Sequence, residues 1–198
     1  MRIVFFGNAD FGCSVLESLS TSEHNVVGVV SNKDKKSGRN LNFLPTPIKK
    51  TSKKLNLNLI EVNNLNNPSF IDSLKALSPD IFIVIAYRIM PKEVYSIPVY
   101  GSVNLHASLL PAYKGAAPIQ RAIINDEQYT GLSSFFLNNS IDGGELINQI
   151  KIGISKEDSF ENVWNNLYDE SSEFMLKTLS LILSGQKTII SNIPLKES

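Results

Sequence analysis

The sequence holds a single cysteine, Cys13, which excludes a disulfide framework and a multi-cysteine zinc site within the chain. Histidine is almost as scarce, at His24 and His106 only, and no cluster of metal-ligating residues is evident, so no metal is expected. No apolar run approaches the ~20 residues that a membrane-crossing helix requires. The opening MRIVFFGNADFG puts Gly, Asn and Asp where a signal peptide needs an apolar core. It reads instead as the first strand of a fold, and a soluble, cytoplasmic, monomeric protein is expected. There is no internal repeat and no low-complexity tract. What remains is an ordinary globular balance of 42% apolar and 19% charged residues in 198 positions, enough for one large domain or two small ones.

The net charge of zero conceals an uneven distribution. Residues 33–54 carry Lys33, Lys35, Lys36, Arg39, Lys49, Lys50, Lys53 and Lys54 against one acid, Asp34. That segment is locally +7, and the other 176 residues balance it. Such a patch suits a phosphate-rich partner. From charge alone, a solvated loop followed by a lysine-rich helix face is the plainer reading.

Hydrophobic periodicity predicts strands at 2–6, 25–31, 57–60, 80–86, 101–105, 130–137 and 145–154. Helices are predicted over 10–20, with Asp10 as cap, from Pro47 to about Leu55, over 69–77, and over 159–184. The last carries Phe160, Val163, Trp164, Leu167, Phe174 and Leu181 on one stripe. The segment 80–86 (DIFIVIA) is apolar on both faces, the mark of a central parallel strand. The polar stretch 32–45 is too long for an ordinary connection and reads as a functional loop. Alternating strands and helices predict an α/β fold with a Rossmann-like, mostly parallel sheet flanked by helices.

The first turn, Gly7-Asn8-Ala9-Asp10-Phe11-Gly12, lacks the second glycine of a dinucleotide fingerprint and the Lys-Ser/Thr ending of a phosphate loop, so neither NAD nor ATP is supported. Asn104 and His106 are two apart at the end of a predicted strand and therefore face one spot, where open α/β sheets bind ligands. The following Ser108-Leu109-Leu110-Pro111-Ala112-Tyr113-Lys114-Gly115-Ala116-Ala117-Pro118 is stiffened by two prolines and reads as a preformed pocket wall. Asp142, in the turn Ser140-Ile141-Asp142-Gly143-Gly144, is placed to reach His106, although a turn aspartate needs no function to explain it.

The run Asn104 to Pro111, then Tyr113 to Arg121, Thr130-Gly131 and Ile141 to Gly144, closely resembles the folate-dependent formyltransferase family. The N-terminal MRIVFFG, the SGR loop with PTPIKK, and AYRIMPKEV at 86–94 agree with it, and the resemblance covers residues 1–185. Ala116 to Arg121 leans toward its tRNA-modifying branch. The resemblance implies transfer of a formyl group from 10-formyltetrahydrofolate to a primary amine, here that of initiator Met-tRNA, without a metal. It implies a catalytic set of Asn104, His106 and Asp142. It implies folate contacts from Ser108, Leu109, Leu110 and Pro111, with Tyr87, Ile89 and Met90 flanking the pterin. It implies tRNA contacts from the loop 32–47, with Arg39, Lys35 and Lys36 foremost.

Some positions depart from the family pattern. Asn8-Ala9 stands where Thr-Pro is usual, Gly143 where a threonine is usual, and Asn40-Leu41-Asn42 where relatives are often lysine-rich. The tRNA branch also carries a C-terminal β-barrel domain. By the resemblance, residues 1–185 are the catalytic domain and 186–198 a tail or the stub of a linker. Two other readings remain open: an N-formyltransferase acting on a nucleotide-linked amino sugar, and a non-catalytic folate- or RNA-binding module. Glycinamide ribonucleotide formylation is a more distant relative.

Overall fold

A computed structural model describes residues 1–37 and 42–186. The chain divides into two compact units, Met1–Ser102 and Val103–Ser198.

Unit one contains β1 (Arg2–Gly7), α1 (Cys13–Thr21), β2 (Asn25–Asn32), β3 (Lys35–Ser37), β4 (Asn42–Leu44), α2 (Pro47–Lys54), β5 (Leu59–Val62), α3 (Pro68–Ala76), β6 (Ile81–Ile85) and the short α4 (Lys92–Tyr95). Its main strands run β5-β2-β1-β6, and every pair is parallel. Parallel neighbours need crossover connections, which α1, α2 and α3 supply. Residues 3–7 of β1 and all five of β6 are buried, as strands covered on both faces must be. Chain order reverses direction between β1 and β6, the place where such sheets open a crevice at their carboxyl ends.

Unit two contains β7 (Ser102–His106), α5 (Pro118–Ile124), β8 (Tyr129–Phe136), β9 (Leu146–Gly153) and α6 (Phe160–Ser184). Here β8 pairs antiparallel with both β7 and β9. One face packs on α6, where Ser134 Oγ lies 3.0 Å from Thr178 Oγ1 and the Asn148 amide also reaches that hydroxyl. The opposite face carries Asn104, His106, Ser133 and Gln149. The expected α/β class, with its mostly parallel strands and flanking helices, holds.

Local chemistry sets the element ends. Thr46 Oγ1 accepts the Lys49 N–H and Pro47 opens α2. Asn67 and Pro68 do the same for α3. Ser159 and Asn162 form a reciprocal capping box on α6, which ends at Gly185 with φ +66°.

Four expectations need correction. Asp10 does not cap α1; it opens a 3₁₀ turn, and α1 begins after Gly12 without a side-chain cap. The strand expected at 57–60 sits at Leu59–Val62. The stretch 32–45 contains the antiparallel hairpin β3–β4, whose three-residue strands are too short and polar to leave a period in the sequence. On α6, Phe160 is exposed, and the buried stripe runs instead through Val163, Leu167, Ser171, Phe174, Met175, Thr178 and Leu179.

Polar bonds close the base of the hairpin segment. Asn8 Oδ1 accepts from the Asn32 N–H at 2.9 Å and from Ser31 Oγ at 3.2 Å. Ser31 Oγ lies 2.7 Å from Thr46 Oγ1. Buried Lys49 donates to Asp34 at 2.8 Å and to Glu61. Burial pushes the Lys49 ammonium toward a lower pKa, but hydrogen bonds and charge from Asp34 and Glu61 outweigh it and raise the value above the ordinary. Lys49 is therefore withdrawn from the basic patch.

This ion cluster predicts unequal costs. Asp34→Asn with Glu61→Gln strands a buried ammonium and should cost about 3 kcal/mol in urea unfolding. Lys49→Met should cost less than half of that, because the Asp34 and Glu61 side chains, 27% and 36% exposed, can rehydrate. A raised folded pKa gives stability that is fully present below the unfolded lysine value of about 10.4 and lost as pH climbs through the folded one. The gap between the native chain and Lys49→Met should thus stay constant to about pH 10 and narrow above it.

Candidate active site

Strand geometry makes Asn104 and His106 neighbours on one face of β7, with Val103 and Leu105 buried on the other. Across the ladder, Asn104 faces Phe135 and His106 faces Ser133, which in turn faces Gln149 on β9.

His106 is 8% exposed. Its Nε2 lies 2.9 Å from the Tyr113 carbonyl. A carbonyl only accepts, so Nε2 carries a proton there. Its Nδ1 lies 3.6 Å from Asp142 Oδ2, beyond direct hydrogen-bond length but within ion-pair range. Asp142 sits at φ +46° in the turn between β8 and β9, and its Oδ2 also accepts the Gly115 N–H at 2.7 Å. Gly144 is required beside it, because a Cβ there would stand 1.6 Å from the Phe136 carbonyl oxygen. Asn104 is half-buried, and its side-chain amide has no hydrogen bond to the described residues. It is the free donor of the group.

The wall beside these residues is braced from the sheet. Ser133 Oγ donates to the Ser108 carbonyl at 2.6 Å and accepts the Leu110 N–H at 3.1 Å. The Gln149 side-chain amide donates to Ser133 Oγ at 2.8 Å and to the Leu110 carbonyl at 3.1 Å. The Ser108 hydroxyl is spent on the Ala112 carbonyl at 2.7 Å, and Ser108 is fully buried. Leu110 is buried, Leu109 half-buried and Pro111 exposed. The segment expected to be irregular up to 118 gives way to α5 at Pro118.

Tyr87, Ile89 and Met90 belong to unit one, just past the carboxyl end of β6. Ala86 turns the chain there with φ +46°. The Tyr87 ring meets Phe6 edge-on at 5.5 Å, and its buried hydroxyl has no partner among the described residues. Burial pushes the Tyr87 phenol up in pKa, against the opposing effect of Arg88. Arg88 is fastened to the Val62 and Asn63 carbonyls. Ile89 is 79% exposed and Met90 is buried. Lys35 and Lys36 lie on β3, and Arg39 lies outside the described residues. Among the described residues no group of three or more His, Cys, Asp or Glu can hold a metal ion, and no helix is long and apolar enough to cross a membrane.

Sequence reasoning missed Ser133, Gln149 and the role of the Tyr113 carbonyl. Two adjacent serines inside an otherwise apolar strand were the available signal, since buried hydroxyls demand partners.

A family profile described as formyl transferase matches residues 1–179. The methionyl-tRNA formyltransferase of Bacteroides fragilis is 38% identical over 197 residues, covering 100% of this chain and 60% of the relative. That of Azobacteroides pseudotrichonymphae is 40% identical over 191 residues, covering 96% of this chain and 59% of the relative. The chain thus spans about 60% of the length of these relatives. Glycinamide ribonucleotide transformylase 1 from Symbiobacterium toebii superposes with a TM-score of 0.77 at 16% identity, over 93% of this chain and 88% of that one. Phosphoribosylglycinamide formyltransferase from Bacillus halodurans gives 0.76 at 19% identity, over 97% and 100%. These two likenesses establish the fold.

The brace predicts a stability cost on the buried face. Ser133→Ala leaves the Leu110 N–H, the Ser108 carbonyl and one Gln149 proton without their partner, and should cost about 2–3 kcal/mol by urea unfolding. Ser133→Thr keeps the hydroxyl and should recover most of that loss.

Proposed function

The chain belongs to the formyl transferase family, and on that premise we propose that it carries a formyl group from 10-formyltetrahydrofolate to the amino group of methionyl-initiator tRNA. The observation that carries the reading is a cluster in unit two: a free amide at Asn104 and an imidazole at His106 on one face of β7, and, from the turn between β8 and β9, the Asp142 carboxylate 3.6 Å from the ring.

The chemistry needs those three groups. The amine attacks the formyl carbon, the carbonyl electrons move to oxygen, and a tetrahedral oxyanion forms. The Asn104 amide supplies a donor for that oxygen, joined by the His106 ring once that ring has gained a proton, and a fixed donor in a shielded site acts without reorganising. The amine must also lose a proton, and His106 is the group to take and return it. Asp142, whose Oδ2 faces Nδ1, stabilises the positive charge once that nitrogen is protonated. Collapse of the intermediate expels the folate nitrogen, which takes up the proton. Apo contacts such as the 3.6 Å pair commonly tighten once substrate is bound.

On this reading residues 1–185 carry the chemistry. Within unit two, Leu109 to Pro111 are proposed as folate contacts, with fully buried Ser108 supporting them from behind; within unit one, Tyr87, Ile89 and Met90 are proposed as contacts for a flat ring. Arg39, Lys35 and Lys36, with exposed Lys33, Lys50 and Lys53, attract tRNA phosphates without reading sequence. The reaction takes place in the cytoplasm, with the chain as a monomer.

The acceptor is tested by competition. Labelled 10-formyltetrahydrofolate is offered to a mixture of Met-tRNA, a nucleotide-linked amino sugar and glycinamide ribonucleotide. Label should accumulate in formyl-Met-tRNA; accumulation in either other acceptor, or in none, overturns the reading. Lys35→Glu with Lys36→Glu should raise the KM for tRNA at least tenfold, leave the KM for folate unchanged, and flatten the dependence of tRNA binding on log salt by about two.

A further inference from the structure

Tyr113 holds a backbone conformation that a bulky residue adopts only under constraint, with φ +58°. The constraint is visible at the far end of its side chain. Tyr113 as a whole is 7% exposed. Its hydroxyl donates to Glu127 Oε1 at 2.7 Å and accepts from the Asn125 amide at 3.1 Å. The Arg121 guanidinium lies 5.5 Å from the ring centre and donates to the Lys114 carbonyl at 2.6 Å. Glu127 is itself fixed, because its N–H donates to the Ala122 carbonyl at the end of α5. Burial, reinforced by the Glu127 carboxylate, raises the Tyr113 phenol above its ordinary pKa, so the hydroxyl keeps the proton that it donates.

The near end of the same residue is the carbonyl that accepts from His106 Nε2. We propose that Glu127, acting through Tyr113, is a positioning residue that fixes His106 as its Nε2-protonated tautomer and leaves Nδ1 facing Asp142. Glu127 touches neither His106 nor any reacting group; it holds the ring, the ring holds a strained backbone, and that backbone aims one acceptor. Which nitrogen of a histidine carries the proton is set by the bond the other groups around it make, and the wrong tautomer disables the ring as a proton carrier. The effect on turnover rests on the formyl-transfer reading above, whereas the tautomer itself does not.

The chain has only two histidines, His24 and His106, which makes the test direct. Protein labelled with ¹⁵N in its imidazoles, with His24→Gln for assignment, is read by long-range ¹⁵N–¹H correlation without any substrate. His106 should show a protonated Nε2 in the native chain. Tyr113→Phe and Glu127→Leu should mix the two tautomers. Glu127→Gln, whose amide oxygen still accepts from the phenol, should restore the native spectrum. In formyl transfer, the first two should lower kcat about tenfold with the KM for folate within about twofold, a fraction of the ~10²–10⁴ that a positioned acid–base group supplies. Glu127→Gln should recover kcat. A native His106 protonated on Nδ1 would overturn the proposal. So would an unchanged tautomer or unchanged kcat in Tyr113→Phe and Glu127→Leu, including the case where only the melting temperature falls and the contact is a staple. If the spectra shift as expected but no acceptor is formylated by the native chain, the functional reading fails and the positioning of the tautomer stands.

Discussion

The 2.9 Å hydrogen bond from His106 Nε2 to the Tyr113 carbonyl is the contact on which unit two turns. It ties the last residue of β7 to the loop that follows it, and it does so with an acceptor that cannot reverse its role. The remaining contacts fall into line around it. Asp142 reaches the other ring nitrogen and also holds Gly115, so the turn between β8 and β9 is fastened to the loop. Ser133 and Gln149 hold the start of that loop from the sheet. A polar group buried without a partner is costly, and here the hydroxyl of Ser133 meets three partners at once. Asn104 is left as the donor with none among the described residues, the property on which its proposed role as a donor to a developing negative charge rests.

Unit one applies the same economy to charge. Of the eight basic residues in 33–54, Lys49 is buried against Asp34 and Glu61. Lys54 reaches Glu17 at the surface, at 3.2 Å. The segment's excess charge therefore belongs to fewer side chains than the sequence count implies. Asn8, at a position where the family commonly has threonine, accepts from Ser31 and Asn32, so the departure serves to fasten the end of β2.

How far the sequence could be read depended on the physical range of each signal. Strands buried on both faces, such as β6, declare themselves by apolar runs, and α6 by its 3.6-residue stripe. The side-by-side placement of Asn104 and His106 followed from the two-residue period of a strand, and the turn glycines marked Asp142 as reachable. The hairpin β3–β4 was invisible, because three polar residues per strand carry no period. Asp10 misled because it has the right side chain one turn too early. Ser133, Gln149 and Glu127 were missed for a different reason: their partners are 14 to 39 residues away, and a hydrogen bond across that span leaves no local pattern.

The central claim is that the face of β7 performs chemistry rather than merely binding a folate. Single-turnover formyl transfer to Met-tRNA, measured alongside the folate dissociation constant for the native chain, Asn104→Ala and His106→Ala, addresses it most directly. The account predicts folate affinity within about threefold of native and transfer slowed by ~10²–10³ when one such donor is lost. Transfer at the native rate in both variants, with folate still bound, would contradict it.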